Sequence, residues 1–194
     1  LAPYPEDLSR KAEEQLRELG VEVRDGVRVT DVQPGYVVAN HERIDAVVTL
    51  WAAGVAASPL GKLLGVSTDR KGSVLVNSTL NPQGHPEVFV CGDLAHFEQD
   101  GHQVPGVAQP AMQMGDHVAR MIESDLNHQP RRPFRYFDKG DMATIGRLAA
   151  VAKVEWPFKA HLSGFAAWVT WLVVHIYFLI GFRNRAIVLL RWIW

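Results

Sequence analysis

The chain has 194 residues and a formal net charge of -1, with 20 Lys and Arg against 21 Asp and Glu. This length holds one ordinary domain or parts of two, and so even a charge balance argues against a generic nucleic-acid binder, which needs a basic excess. The single cysteine excludes an internal disulfide framework and a cysteine-rich metal site, and suits a reducing compartment.

The balance is an average over unlike parts. Residues 1–130 carry 10 basic and 18 acidic groups, whereas residues 131–194 carry 10 basic and 3 acidic ones. Five of the six tryptophans lie from Trp156 onward. The chain begins at Leu1 with no charged-then-apolar leader, and so reads as a piece of a longer polypeptide.

In chain order, Asp7 or Ser9 is placed to cap a helix running to Leu19, with Leu8, Ala12, Leu16 and Leu19 at helical spacing and Gly20 just past its end. Short β-rich runs follow at Val21–Val23, Val27–Val32 and, after a Pro34-Gly35 turn, Tyr36–Ala39. Ala46–Trp51 is continuously apolar and β-branched, the pattern of a strand buried on both faces, and ends in Ala52-Ala53-Gly54. Val74–Val76 is a short strand. Val88–Cys91 is a second buried-strand pattern, ending in Gly92-Asp93. Pro110 is expected to open a helix to about Leu126, since its missing N–H costs nothing in a first turn.

Arg131-Arg132-Pro133 then forms a basic linker, and Met142–Val154 alternates loosely enough to pair as a hairpin. From Gly164 to Phe182 no formal charge occurs, and at 1.5 Å per residue the stretch would span roughly 28 Å, close to the ~30 Å hydrocarbon core of a bilayer. Trp168, Trp171, His175 and Phe178 share one helical face. Tryptophans together with Arg183, Arg185 and Arg191 also fit a helix lying in the membrane interface, and a core or dimer helix is the third reading.

Three constellations carry chemistry. Beyond the carboxyl end of a strand, Gly92 admits close backbone approach of a ligand, and Asp93 offers a carboxylate to sugar hydroxyls. At the helix start Ala108-Gln109-Pro110-Ala111-Met112-Gln113, unpaired N–H groups favour a negative ligand atom, and Gln109 and Gln113, four apart, present amides on one face. Cys91 is expected to be a small core residue, and Asp141 and Arg147 to form solvated or structural pairs. The eight histidines show no metal-ligand spacing, so no metal is expected.

In order along the chain, Leu50-Trp51-Ala52-Ala53-Gly54, Val88-Phe89-Val90-Cys91-Gly92-Asp93, Gly106–Gln113, Phe134–Gly146 and the apolar ending closely resemble the C-terminal half of type II NADH dehydrogenase, the single-subunit NADH:quinone oxidoreductase. The resemblance implies an α/β fold: partial Rossmann-like FAD- and NAD(P)-binding domains, a C-terminal β-hairpin and apolar membrane-associated helices. Residues 1–54 would end the NADH-binding domain, 55–128 would end the FAD-binding domain, and 129–194 would attach to the membrane. It implies FAD as cofactor and NADH as substrate, with Gly92 and Asp93 at the ribityl and phosphate region. Ala108 and Gln109 would lie against the isoalloxazine, and Ala53 and Gly54 near the nicotinamide. Gln109 and Gln113 would border the quinone.

The implied partners are a quinone, membrane lipid through residues 164–194, the missing N-terminal half and a second copy in a homodimer. The implied location is the cytoplasmic face of a bacterial cell membrane, by monotopic or peripheral attachment. No G-x-G-x-x-G occurs in the chain, so neither phosphate-binding glycine loop lies within it. Two other readings stand beside this one: a sulfide:quinone reductase, which would want redox cysteines, and a non-catalytic membrane-bound adaptor.

Overall fold

A computed structural model describes residues 4–179 and 181–193. Its contacts gather the chain into two units, residues 1–50 with 139–194, and residues 51–138.

In the first unit, helix α1 (Glu6–Glu18) starts on Pro5 and ends as its sequence dictates. Gly20, at φ +83°, donates its N–H to the Arg17 carbonyl, and Val21 donates to that of Leu16. These two bonds close the last turn in the manner of a left-handed glycine cap. Asp7 lies in the first turn rather than capping it, and its carboxylate accepts a hydrogen bond from His161 at 2.9 Å, which holds Asp7 below its ordinary pKa. Strands β1 (Val29–Gln33), β2 (Tyr36–Ala39) and β3 (Glu42–Asp45) form an antiparallel meander, with Gly35 at φ +88° turning β1 into β2. The Val21–Val23 run is not a strand.

Strands β8 (Gly140–Gly146), β9 (Ala149–Val154) and β10 (Ala160–Ser163) form an antiparallel sheet in the order β10-β9-β8, so the expected hairpin gains a third strand. Its side chains alternate between two helices. Val151, with Ala143 and Ile145, packs on Leu8 and Ala12 of α1. Ala150 and Ala152, with Met142, pack on Ala167 and Trp168 of helix α4 (Gly164–Phe178). Period-two alternation thus feeds both faces of one small sheet. Tyr4 joins the α1 side, where burial, with the Asp141 charge nearby, pushes its phenol up to about 12.

Helix α4 has 15 residues, roughly 22 Å at 1.5 Å per residue, and the chain leaves it at Leu179. Gly181, at φ +86°, precedes helix α5 (Phe182–Ile193), and Trp192 of α5 lies 4.6 Å, centroid to centroid, from Trp171. Among the described residues no helix is long and apolar enough to cross a membrane, so the spanning reading of Gly164–Phe182 is corrected. The predicted Trp168–Trp171–His175–Phe178 face is inner at one end only: Trp168 packs on the sheet and Trp171 stacks on His175, whereas His175 and Phe178 are exposed. The exposed apolar stripe of α4 is Phe165, Val169, Val173 and Tyr177, spaced by four.

The second unit is built on short strands β4 (Val74–Leu75) and β5 (Ala95–His96), paired parallel, and β6 (Glu98–Gln99) and β7 (His102–Gln103), paired antiparallel. It also holds a four-residue helix α2 (Leu60–Leu63) and the long helix α3 (Ala108–Leu126). Pro110, Met114, His117 and Met121 of α3 are buried at helical spacing, and Met114 joins a core with Val74, Leu80, Val90, Phe97 and Phe134.

Two apolar runs depart from expectation. Ala46–Trp51 is not a strand, and Val47, Val48, Leu50 and Trp51 are exposed. Val88–Cys91 is not one either; Val90 is buried, but Cys91 is exposed rather than a core residue. A strand buried on both faces exists only between paired strands, and among the described residues none pairs with either run; Val90 makes only a single N–H bond, to the Leu80 carbonyl.

Candidate functional site

Of the predicted site residues of the second unit, Gly92 and Asp93 lie in a turn against the start of α3, which carries Ala108, Gln109 and Gln113. Gly92–Leu94 forms a single 3-10 turn entered at Gly92 with φ +69°. A Cβ on Gly92 would stand 3.5 Å from the Ala111 Cβ, so the turn lies directly against the first turns of α3. Gly106, just before the helix, faces the carboxylate of Asp93: a Cβ there would sit 3.6 Å from Oδ1. Asp93 is itself exposed, and its carbonyl accepts a hydrogen bond from Ser73 Oγ at 3.4 Å.

Helix α3 begins at Ala108, two residues before the predicted Pro110, which still falls in the first turn where its missing N–H is harmless. Val107 at the cap supplies no side-chain bond, and no acidic side chain occupies the first turn. The positive end of the helix dipole is therefore left to whatever lies before it. Ala108 is exposed, and Gln109 is half-buried with its Oε1 buried.

Gln113 has a partner that spacing does not reveal. Its Nε2 donates to the Phe137 carbonyl and its Oε1 accepts from the Phe137 N–H, both at 2.9 Å. The side-chain amide reads the peptide of residue 137 as a neighbouring strand would, and pins the 134–138 segment to α3. Gln99 does the same for Tyr136, accepting from its N–H at 2.8 Å and donating to its carbonyl at 3.2 Å. Ala53 and Gly54 lie in an exposed irregular stretch, with Gly54 at φ +103°.

Two histidines stand out that sequence spacing did not flag. His117, buried and edge-on to Phe134, borders a cavity of about 130 Å³ lined by Gln113, Asp116, Arg120, Phe134 and Arg135. Burial, aided by the Arg120 charge and opposed by a hydrogen bond to the Arg132 backbone, lowers its pKa. His96 lies between two carboxylates, with Nδ1 2.9 Å from Asp69 Oδ2 and Nε2 3.2 Å from Glu98 Oε1. The hydrogen bond to Asp69 leads in raising its pKa, against burial and with Glu98 adding to it. Burial works against ionised Asp69, but hydrogen bonds from His96 and from the Ser73 and Lys71 N–H groups hold its carboxyl below the ordinary range.

A stability prediction follows from those two directions. The His96 contribution is complete below the ordinary histidine pKa and lost as pH rises through the raised folded value; that of Asp69 is complete above the ordinary carboxylate range and lost as pH falls through its lowered value. Both act together near about pH 5.5. In thermal melts, His96→Gln is expected to cost on the order of 1 kcal/mol near pH 5.5 and markedly less near pH 9. An equal cost at both pH values would show that the imidazolium form is not what the pair stabilises.

The chain belongs to the pyridine nucleotide-disulphide oxidoreductase family, whose model matches residues 1–115. Within curated proteins it is 43% identical, over 99% of its length, to the type II NADH:quinone oxidoreductase Ndh of Mycobacterium tuberculosis, and 40% identical over the same share to NdhA of that organism. The chain spans only 42% of either relative. Among solved structures, NDH2 from Plasmodium falciparum in complex with NADH superposes with a TM-score of 0.83 over 100% of this chain and 55% of that one, at 16% identity, a likeness of fold.

Proposed function

We propose that this chain is the C-terminal half of a membrane-attached flavoprotein that passes electrons from NADH, through FAD, to a quinone, without pumping protons. The observation that carries it is the meeting of Gly92–Asp93, Gly106 and the open start of α3, in a chain 43% identical along 99% of its length to a type II NADH:quinone oxidoreductase.

The residues suit FAD. Gly92 and Gly106 keep Cβ atoms away from the turn, and the exposed Asp93 carboxylate accepts hydrogen bonds from ribityl hydroxyls. Ala108 is small enough for a flat ring to approach the helix end, and the dipole there favours negative charge on that ring. FAD held by Gly92, Asp93 and Ala108 would supply the two-electron chemistry that links NADH to a quinone. Gln109 would border the quinone by contact, and Gln113, by holding the 134–138 segment, would border it by positioning. Ala53 and Gly54 serve the nicotinamide side.

Attachment is monotopic, on the cytoplasmic face of a bacterial membrane. The stripe Phe165, Val169, Val173 and Tyr177 on α4, with Ile187 and Leu190 on α5, supports an in-plane hairpin that lets an apolar quinone enter from the bilayer. A homodimer is compatible with this arrangement.

The test uses the complete protein that contains this chain. Gln109→Ala with Gln113→Ala is expected to lower quinone reduction by about tenfold or more, the equivalent of one to two hydrogen bonds, while NADH oxidation by a soluble dye falls much less. Equal losses in both assays would move the glutamines from the quinone to the flavin.

A further inference from the structure

The β8–β9 turn and the C-terminal helices line an open cavity of about 220 Å³, bordered by Thr144, Arg147, Trp168, Trp171, Arg191 and Trp192. Its walls are held by stacking: Trp171 packs 4.2 Å from His175 and 4.6 Å from Trp192, and Trp168 is fixed on the sheet. The two arginines differ from those held in ion pairs or by backbone carbonyls. Arg10, Arg17, Arg24, Arg43, Arg131 and Arg135 each face a carboxylate, and Arg185 donates to the Leu179 and Tyr177 carbonyls. Among the described residues, no carboxylate pairs with Arg147 or Arg191.

Two like charges brought to one cavity repel, and an anion between them reverses the sign of that interaction. Planar guanidinium forks match the oxygens of phosphate, and indole rings favour the level of lipid headgroups. The same two helices carry the exposed apolar stripe, so a ligand here joins a charged head to an apolar surface. We propose that this cavity seats the phosphate of an anionic membrane phospholipid, bound by Arg147 and Arg191 among Trp168, Trp171 and Trp192. The proposal rests on the reading that α4 and α5 lie on a membrane, and adds a defined headgroup site to it.

The test is co-sedimentation of the complete protein that contains this chain with vesicles of phosphatidylcholine alone or mixed with phosphatidylglycerol, with tryptophan emission as a second readout. Arg147→Gln with Arg191→Gln is expected to weaken binding to the phosphatidylglycerol vesicles about 100-fold or more, the loss of two charge-assisted hydrogen bonds to one phosphate. A charge-matched pair outside the cavity, Arg183→Gln with Lys159→Gln, is expected to weaken it only a few-fold. Far-ultraviolet circular dichroism checks that both pairs fold, and Arg147→Lys with Arg191→Lys, which keeps charge but loses the fork, is expected to fall between them.

Equal losses for the cavity and control pairs would overturn the site in favour of diffuse attraction. Inorganic phosphate that shifts tryptophan emission without competing for vesicles would overturn the lipid as the occupant. Equal binding to both vesicle types would leave the attachment reading standing and remove the headgroup site; binding to neither would remove both.

Discussion

Asn81→Ala is expected to destabilise the unit formed by residues 51–138 by about 3 kcal/mol, because one small amide serves four partners in a fully enclosed place. Asn81 is 1% exposed. Its Nδ2 donates to the carbonyls of Pro86 and Val88 at 3.2 and 2.6 Å, and its Oδ1 accepts from Thr79 Oγ1 at 2.7 Å and Arg131 Nη1 at 3.1 Å. Truncation strands two carbonyls with no donor and takes one acceptor from a guanidinium. Asn81→Asp keeps the shape and the bonds from Thr79 and Arg131, but turns a carboxylate oxygen toward two carbonyls, and is expected to cost as much. Urea unfolding measures both, with a midpoint shift of about 1–2 M at unchanged slope. A shift too small to resolve would mean that water enters and replaces the amide. The loop so held leads directly into Gly92 and Asp93, so loss of the amide also loosens the proposed flavin turn.

The second large effect is at Gly140, the first residue of β8, whose φ is +109°. A Cβ there would fall onto the Lys153 carbonyl oxygen, with the carbonyl carbon 2.9 Å away and the Glu155 nitrogen at 3.0 Å. All three obstacles are backbone, so no change of rotamer relieves them. Gly140→Ala is expected to cost about 3 kcal/mol or more and to lower Tm by about 10 °C. Gly146 at the other end of the strand is the control. A Cβ there would meet only the tip of Leu19, 2.8 Å from Cδ1, and that side chain is 58% exposed and can swing away. Gly146→Ala is expected to stay within about 1 kcal/mol. Equal falls in Tm for the two variants would sink the argument from the Lys153 carbonyl.

What the sequence made legible is what repeats over short distances. Leu8 and Ala12 at helical spacing announced α1, the Pro34-Gly35 pair announced its turn, and the loose alternation of Met142–Val154 announced a hairpin. What stayed hidden depends on distant partners. Ala46–Trp51 and Val88–Cys91 carry the composition of buried strands, but burial on both faces is a property of neighbours and not of the run itself. Arg131, read as part of a basic linker, is a bidentate partner of Asp125 and lies over the Phe89 ring. The paired amides of Gln109 and Gln113 were visible as a spacing, but that one of them grips the peptide of Phe137 belongs to the fold. Arg147, expected in a solvated or structural pair, is exposed and lines a cavity that its sequence neighbours do not announce. Thus the motif residues proposed for the site are legible by type and order, whereas the contacts that support them are not.

The bare stretch from Val47 to Val55 has a consequence for handling the molecule in solution. Val47 is fully exposed, and Leu50 and Val55 are 88% and 77% exposed, in a segment whose backbone joins no sheet. Such a ribbon is a template on which another chain adds as a strand. Its self-association is bimolecular and is driven by protein concentration, even where each unit stays folded. Handled apart from the rest of its polypeptide, the chain is therefore expected to associate more strongly as its concentration rises.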